Sequence, residues 1–222
     1  MRRHSDNPNL HLHYTDTFEG LPVMIEKGPF IREYLADLKR TIDLTFNQYP
    51  RVLAFRVDLR LPHDVGLDDY VSTNEVISRF IASFKSKIQH NRSRALENNK
   101  YAHRCKVRFV WAREQGQRGR PHYHLLILLN RDAFYTVGRI CSERINMFSR
   151  LSEAWASALG VSVDLVDGLV EIPNNATYRV DRDIPDGEED VLPDLFRRAS
   201  YLCKVATKVF GSGQHGFGSS KR

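Results

Sequence analysis

Residues 106–130 read KVRFVWAREQGQRGRPHYHLLILLN. KVRFVWARE reads as one strand, HYHLLILLN as a second, and the Gly-rich QGQRGRP between them as a turn, so the stretch predicts a β-hairpin. In a strand, residues i and i+2 point to the same face. His122 and His124 therefore project side by side, while Tyr123 and Leu125 enter the opposite layer. A buried strand has no packing reason to begin with two imidazoles on one face.

Working outward, VLAFRVDLRL (52–61) alternates strictly. Leu53, Phe55, Val57, Leu59 and Leu61 face one way, and Ala54, Arg56, Asp58 and Arg60 the other. Before it, Pro29 opens a helix with Ile31, Tyr34, Leu35, Leu38 and Ile42 at helical spacing. After it, Ser72 and Glu75 suggest a capping box for a helix burying Val76, Ile77, Phe80, Ile81, Phe84 and Ile88. A further helix spans about 142–159 and stops at Gly160. GLVEIP (168–173) is a short strand, an acidic loop follows, and Pro193 opens the last helix.

This order predicts an α+β fold. An antiparallel sheet of about four to five strands carries helices packed on one face, as a split βαβ unit, with an N-terminal and a C-terminal helix added. One sheet face is left available for a site. Residues 1–28 read as an irregular segment, 29–210 as a single domain, and 211–222 as a flexible Gly/Ser-rich tail.

The net charge is +6, from 33 Lys+Arg against 27 Asp+Glu, and it is unevenly spread. Residues 85–108 carry eight Lys/Arg and one acid, and 195–222 carry six and none. Residues 181–194 carry seven acids and one Arg; a solvated loop is the favoured reading, a shield for the basic helix the other. Two basic blocks point to a polyanion, most simply nucleic acid. Cys105, Cys141 and Cys203 show no CxxC pairing, which fits a reducing cytosol and argues against a thiolate zinc site. No apolar run approaches membrane-spanning length and no signal peptide opens the chain, so the expectation is a cytoplasmic protein with no membrane partner.

Two imidazoles at i and i+2 can share one metal ion. The glycine turn brings Glu114, on the partner strand, beside them. A two-His, one-carboxylate set with open positions suits Mn²⁺, Mg²⁺ or Zn²⁺. His11 and His13 repeat the spacing without strand context or a neighbouring acid, and read as unrelated to a site. On the last helix, counting about 100° per residue from Leu195 gives a buried stripe of Ala199, Leu202, Ala206 and Val209. Arg197, Tyr201, Lys204 and Lys208 fall on the other face, which reads either as a surface tyrosine on a basic helix or as a tyrosine ringed by three cations for chemistry. Cations favour a phenolate and hold phosphate charge.

PHYHLLILL resembles the His–hydrophobic–His motif of the HUH endonucleases, and YLCK (201–204) resembles their Tyr-x-x-Lys nucleophile motif. FRVDLRLP, VWAREQGQRGRPHYHLLILLN, YLCKVATK and GFGSSKR together are similar to the inovirus replication-protein or YagK/YfjJ C-terminal domain family, over roughly residues 30–222. The resemblance implies the RRM-like HUH sheet, Mg²⁺ or Mn²⁺ on His122, His124 and Glu114, Tyr201 as nucleophile and Lys204 as its helper. Asp58 occupies the first-motif strand; it would sit near the metal, bind DNA, or pair with Arg56 or Arg60. Arg197, Lys208, Arg118, Arg120, Arg92 and Arg94 are the candidate DNA contacts. The implied activity is nicking and joining of single-stranded or hairpin origin DNA through a 5′-phosphotyrosine, which starts rolling-circle replication. With one tyrosine on the helix and no P-loop, a host helicase and polymerase are the expected partners. Two alternatives stay open: a non-catalytic DNA-binding regulator of a prophage, or the same chemistry in transposition or mobilisation.

Overall fold

The computed structural model describes residues 2–62, 68–115, 120–138, 145–184 and 187–221. Its centre is the expected hairpin. Numbering the sheet strands in chain order, β1 is Arg51–Leu59, β2 Arg108–Gln115, β3 Pro121–Asn130, β4 Val170–Glu171, β5 Thr177–Asp181 and β6 Phe217–Ser219. The spatial order is β6-β2-β3-β1-β4, with β5 also paired to β1, and every pairing is antiparallel.

The fold is α+β, with four α-helices among the described residues: α1 Arg32–Gln48, α2 Glu75–Asn98, α3 Met147–Leu159 and α4 Leu192–Ala199. Strict alternation sorts the sheet into two faces. Leu53, Phe55, Val57, Tyr123, Leu125 and Ile127 pack with Phe80 and Phe84 of α2 and Leu151 and Trp155 of α3. On the other face, Val52, Ala54, Val110, Ala112, Leu126 and Leu128 are buried against Leu35, Leu38 and Ile42 of α1 and Leu195 and Phe196 of α4. That second face is therefore half core. Its far end, where Arg56, Asp58, Glu114, His122 and His124 lie, is polar, and Arg108 and Asn130 lie at the opposite end of the same face.

Several local expectations are corrected. Residues 217–219, expected in a flexible tail, form the edge strand β6, with Phe217 buried and stacked on Tyr34 at 4.2 Å. Here Gly218 faces Trp111, and a Cβ on it would lie 2.6 Å from the indole, so only glycine fits. Part of the stretch expected as a loop after 173 is β5. Residues 1–28 are not wholly irregular: Leu12–His13 pairs with Phe30–Ile31. α1 begins at Arg32, past Pro29. Ser72 and Glu75 make no capping box; Thr73 Oγ1 instead accepts from the Glu75 amide. α3 starts at Met147 with an Asn146/Ser149 capping box, and Gly160 ends it in the left-handed conformation as expected. α4 passes into a 3₁₀ turn, Ser200–Cys203, and goes no further. The helical stripe expected through Ala206 and Val209 does not form.

Candidate active site

Strand pairing explains the site's first layer. Glu114 stands opposite His122 in the β2–β3 ladder, and Asp58 opposite His124 in the β1–β3 ladder. Three adjacent strands thus point their polar ends to one patch. Glu114 Oε2 lies 3.8 Å from His122 Nε2 and 3.6 Å from His124 Nε2. Each of the three residues offers one ligand atom, all within 4.8 Å of one another, a mixed N/O set that fits one divalent ion.

The layer behind supports that fit. Asp58 Oδ1 is 2.7 Å from His124 Nδ1 and 2.9 Å from Arg56 Nη2. A carboxylate accepting from Nδ1–H fixes the ring and leaves the Nε2 lone pair turned toward Glu114. Of the first-motif alternatives, Asp58 therefore combines two: it stands behind a candidate ligand and pairs with Arg56. Arg60 pairs with Glu171 instead, at 2.8 Å.

Charge is concentrated on Glu114, which is only 2% exposed. Lys204 Nζ is 3.1 Å from its Oε2, and Lys208 Nζ is 3.4 Å from its Oε1. Burial alone would raise the Glu114 pKa; the adjacent His124 ring and the two lysine charges overcome it and hold the carboxyl well below the usual range. Asp58 is lowered in the same way, its burial outweighed by His124 and Arg56. For His124, burial pulls down but the Asp58 and Glu114 carboxylates win and raise it. His122 is lowered, by burial first and then by the charge of His124.

Tyr201 sits over this layer on the 3₁₀ turn. Its ring centroid is 5.6 Å from that of His124; Lys204 Nζ lies 3.5 Å and the Arg56 guanidinium 5.2 Å from it. A phenol, two carboxylates, two imidazoles and three cations thus share one patch.

The chain matches the YagK/YfjJ C-terminal domain family over residues 13–220. This chain belongs to that family. It is 35% identical over 199 residues to the uncharacterized protein YagK of Escherichia coli strain K12, covering 87% of this chain and 95% of that one. It is 32% identical over 203 residues to the uncharacterized protein YfjJ of the same strain, covering 88% and 97%. No solved structure matches. The YagK/YfjJ name carries no activity with it.

Not every expected residue gathers there. Glu114, His122, His124, Asp58, Tyr201 and Lys204 do. Lys208, expected on an exposed DNA-binding face, is instead buried with its ammonium on Glu114; the chain leaves the helical path after Cys203 and turns it inward. Burial lowers its pKa against the pull of Glu114. Arg197 is paired with Glu26 at 2.7 Å, beside the site rather than in it. The Arg120 side chain donates to the Pro62 carbonyl. Arg118 lies outside the described residues. Arg92 stacks over Phe134 at 4.6 Å near the far end of α2, and Arg94 is exposed there, away from the metal ligands. His11 does have an acid: its Nδ1 is 2.7 Å from Glu33 Oε1, a contact across 22 positions that local reading could not show. Sequence reasoning named Arg56 only as a pairing partner of Asp58, and missed its place beside Tyr201 and the buried place of Lys208 on Glu114. The signal for Arg56 was present, two residues before Asp58 on the polar face of β1.

Proposed function

We propose that this protein is a metal-dependent single-strand DNA nicking and joining enzyme with the chemistry of the HUH endonucleases, initiating rolling-circle replication of a phage, prophage or plasmid element. The observation that carries this reading is the meeting of Tyr201 and Lys204 with Glu114, His122 and His124 on one sheet end. These residues come from parts of the chain about eighty positions apart. Core packing does not require such a set, and phosphoryl transfer can use it.

Bound Mg²⁺ or Mn²⁺ would polarise the scissile phosphate as a Lewis acid. The protein's own residues supply the rest. The Tyr201 phenol oxygen attacks phosphorus, the P–O3′ bond breaks, and the 3′ oxygen leaves as a hydroxyl, the phenolic proton being released in exchange. A 5′-phosphotyrosine keeps the energy of the broken diester, so the strand is rejoined by reversal. Lys204, against both the ring and Glu114, offsets the charge that develops. Arg56, Lys204 and Lys208 outnumber Asp58 and Glu114, so the patch is cationic before any metal is bound, which suits a phosphodiester.

The test is incubation of the protein with Mn²⁺ and single-stranded oligonucleotides spanning inverted repeats of its own element, followed by denaturing electrophoresis. A covalent adduct is expected from the native protein and none from Tyr201→Phe. An adduct that persists in Tyr201→Phe would sink the mechanism. Metal-independent DNA binding that survives His122→Ala and His124→Ala, with no adduct from the native protein, would favour the non-catalytic regulator.

A further inference from the structure

Beside Tyr201, a cleft of about 520 Å³ opens between α4, β5 and the N-terminal segment, and none of the three candidate metal ligands lines it. Its size is that of an ordinary small-ligand cleft, roughly 300–1,000 Å³. Lys27, Arg56, Tyr178, Arg197, Arg198 and Tyr201 line it, and Asp194 is the one acid among its lining residues. Tyr178 stands opposite Ala54 in the β1–β5 ladder. It therefore shares the sheet face of Arg56, two residues along β1.

Three observations make this more than a surface dent. Arg198 donates to the carbonyl oxygens of Asn174 and Asn175, at 2.7 and 2.9 Å, so among the described residues its hydrogen-bond partners are neutral. Arg56 is 8% exposed, and its Nε has no hydrogen-bond partner among the described residues, a costly state for a buried donor. Two tyrosine rings flank the cationic lining. Aromatic faces set among cations are how proteins hold an unpaired base and its phosphate.

We propose that this cleft holds a nucleotide of the single strand next to the scissile phosphate. Tyr178 stacks on the base, and Lys27 and Arg198 hold backbone phosphate. The inference deepens the nicking reading and rests on it for the identity of the ligand as DNA. It assigns Tyr178 as a residue that grips substrate although it belongs to none of the motifs.

The experiment uses full-length Tyr201→Phe protein in EDTA, so that no adduct forms, with fluorescence anisotropy of a short labelled single-stranded DNA of mixed sequence. Adding Tyr178→Ala is expected to weaken binding about fivefold or more, and Tyr178→Phe to leave it intact, because the stacking face is kept. Lys27→Ala is expected to reduce the slope of log affinity against log salt by about 0.7, one phosphate contact on a single strand. Tyr178→Ala binding within about twofold of the parent would overturn the proposal. So would a Tyr178→Phe loss equal to that of Ala at an unchanged unfolding midpoint. Failure of the nicking reading looks different: no adduct from native protein with Mn²⁺, while Tyr178-dependent binding persists.

Discussion

Two residues behind the candidate ligands act on them in opposite senses. Asp58 accepts from His124 Nδ1 and so presents Nε2 for ligation. Removing such a partner costs about 10- to 100-fold in metal affinity. Asp58→Asn is therefore expected to weaken Mn²⁺ binding by that order, measured by isothermal titration calorimetry without DNA. Lys208 does the reverse. Its buried ammonium sits 3.4 Å from Glu114 Oε1 and competes with any cation for the carboxylate. Unit charges 4 Å apart interact by about 4 kcal/mol at an effective dielectric of 20, so even partial recovery is measurable. Lys208→Met keeps the stem and deletes the charge. It is expected to tighten Mn²⁺ binding about tenfold in the same assay, ~1.4 kcal/mol. A weaker Mn²⁺ affinity in Lys208→Met would mean that the lysine serves chiefly to orient Glu114. The contrast in sign matters because a merely destabilised fold would weaken both variants alike.

At the scale of elements, the C-terminal strand ties the site together. β6 closes the β2 edge, Ser220 Oγ accepts from the Phe109 amide, and the Gly216 carbonyl accepts from Arg113. Close approach at Gly218 is the condition for this pairing. Gly218→Ala places a methyl group within 2.6 Å of the Trp111 ring, which is itself buried. Overpacking of this kind costs about 1–3 kcal/mol. The unfolding midpoint is expected to fall by about 2–4 °C per kcal/mol, read by calorimetry, with a shift in tryptophan emission. An unchanged midpoint would show that β6 does not hold the edge. This strand also marks the limit of what the sequence disclosed. β1, β2 and β3 were legible because long alternating or apolar runs have one economical arrangement. The histidine pair and Glu114 were legible because strand period and hairpin pairing fix neighbours. β6 was not: three residues among glycines and serines carry no period, and their pairing is decided by Tyr34 and Trp111, far away in sequence. The inward turn of Lys208 was hidden for a related reason. A helical count assumes that the helix continues, and here it stops at a 3₁₀ turn.

Across the whole molecule, positive charge occupies two separated places. One is the cationic patch around Tyr201. The other is the outer half of α2, where burial ends at Ile88 while the helix runs on to Asn98. Those ten further residues extend roughly 15 Å at 1.5 Å each. They carry Arg92 and Arg94 and lead into Lys100, Arg104 and Lys106. Arg108, at this end of β2, and Glu114, at the other, are separated by roughly 20 Å of strand. Among the described residues, Asp181 pairs with Arg131, and no ion pair joins 181–194 to Arg197, Arg198, Lys204 or Lys208. This arrangement suits a protein that cuts a single strand at one end of its sheet and grips flanking duplex at the other. Arg92 already spends part of its surface on Phe134, so Arg94 is the cleaner probe. Arg94→Ala is expected to weaken binding to a mixed-sequence duplex and lower its salt slope by about 0.9, the value for one phosphate contact on B-DNA. Adduct yield on a short single strand, too short to reach α2, is expected to stay unchanged. Loss of both together would place the α2 surface at the cutting site and undo the division of labour; loss of neither would leave the basic helix as a solvated face.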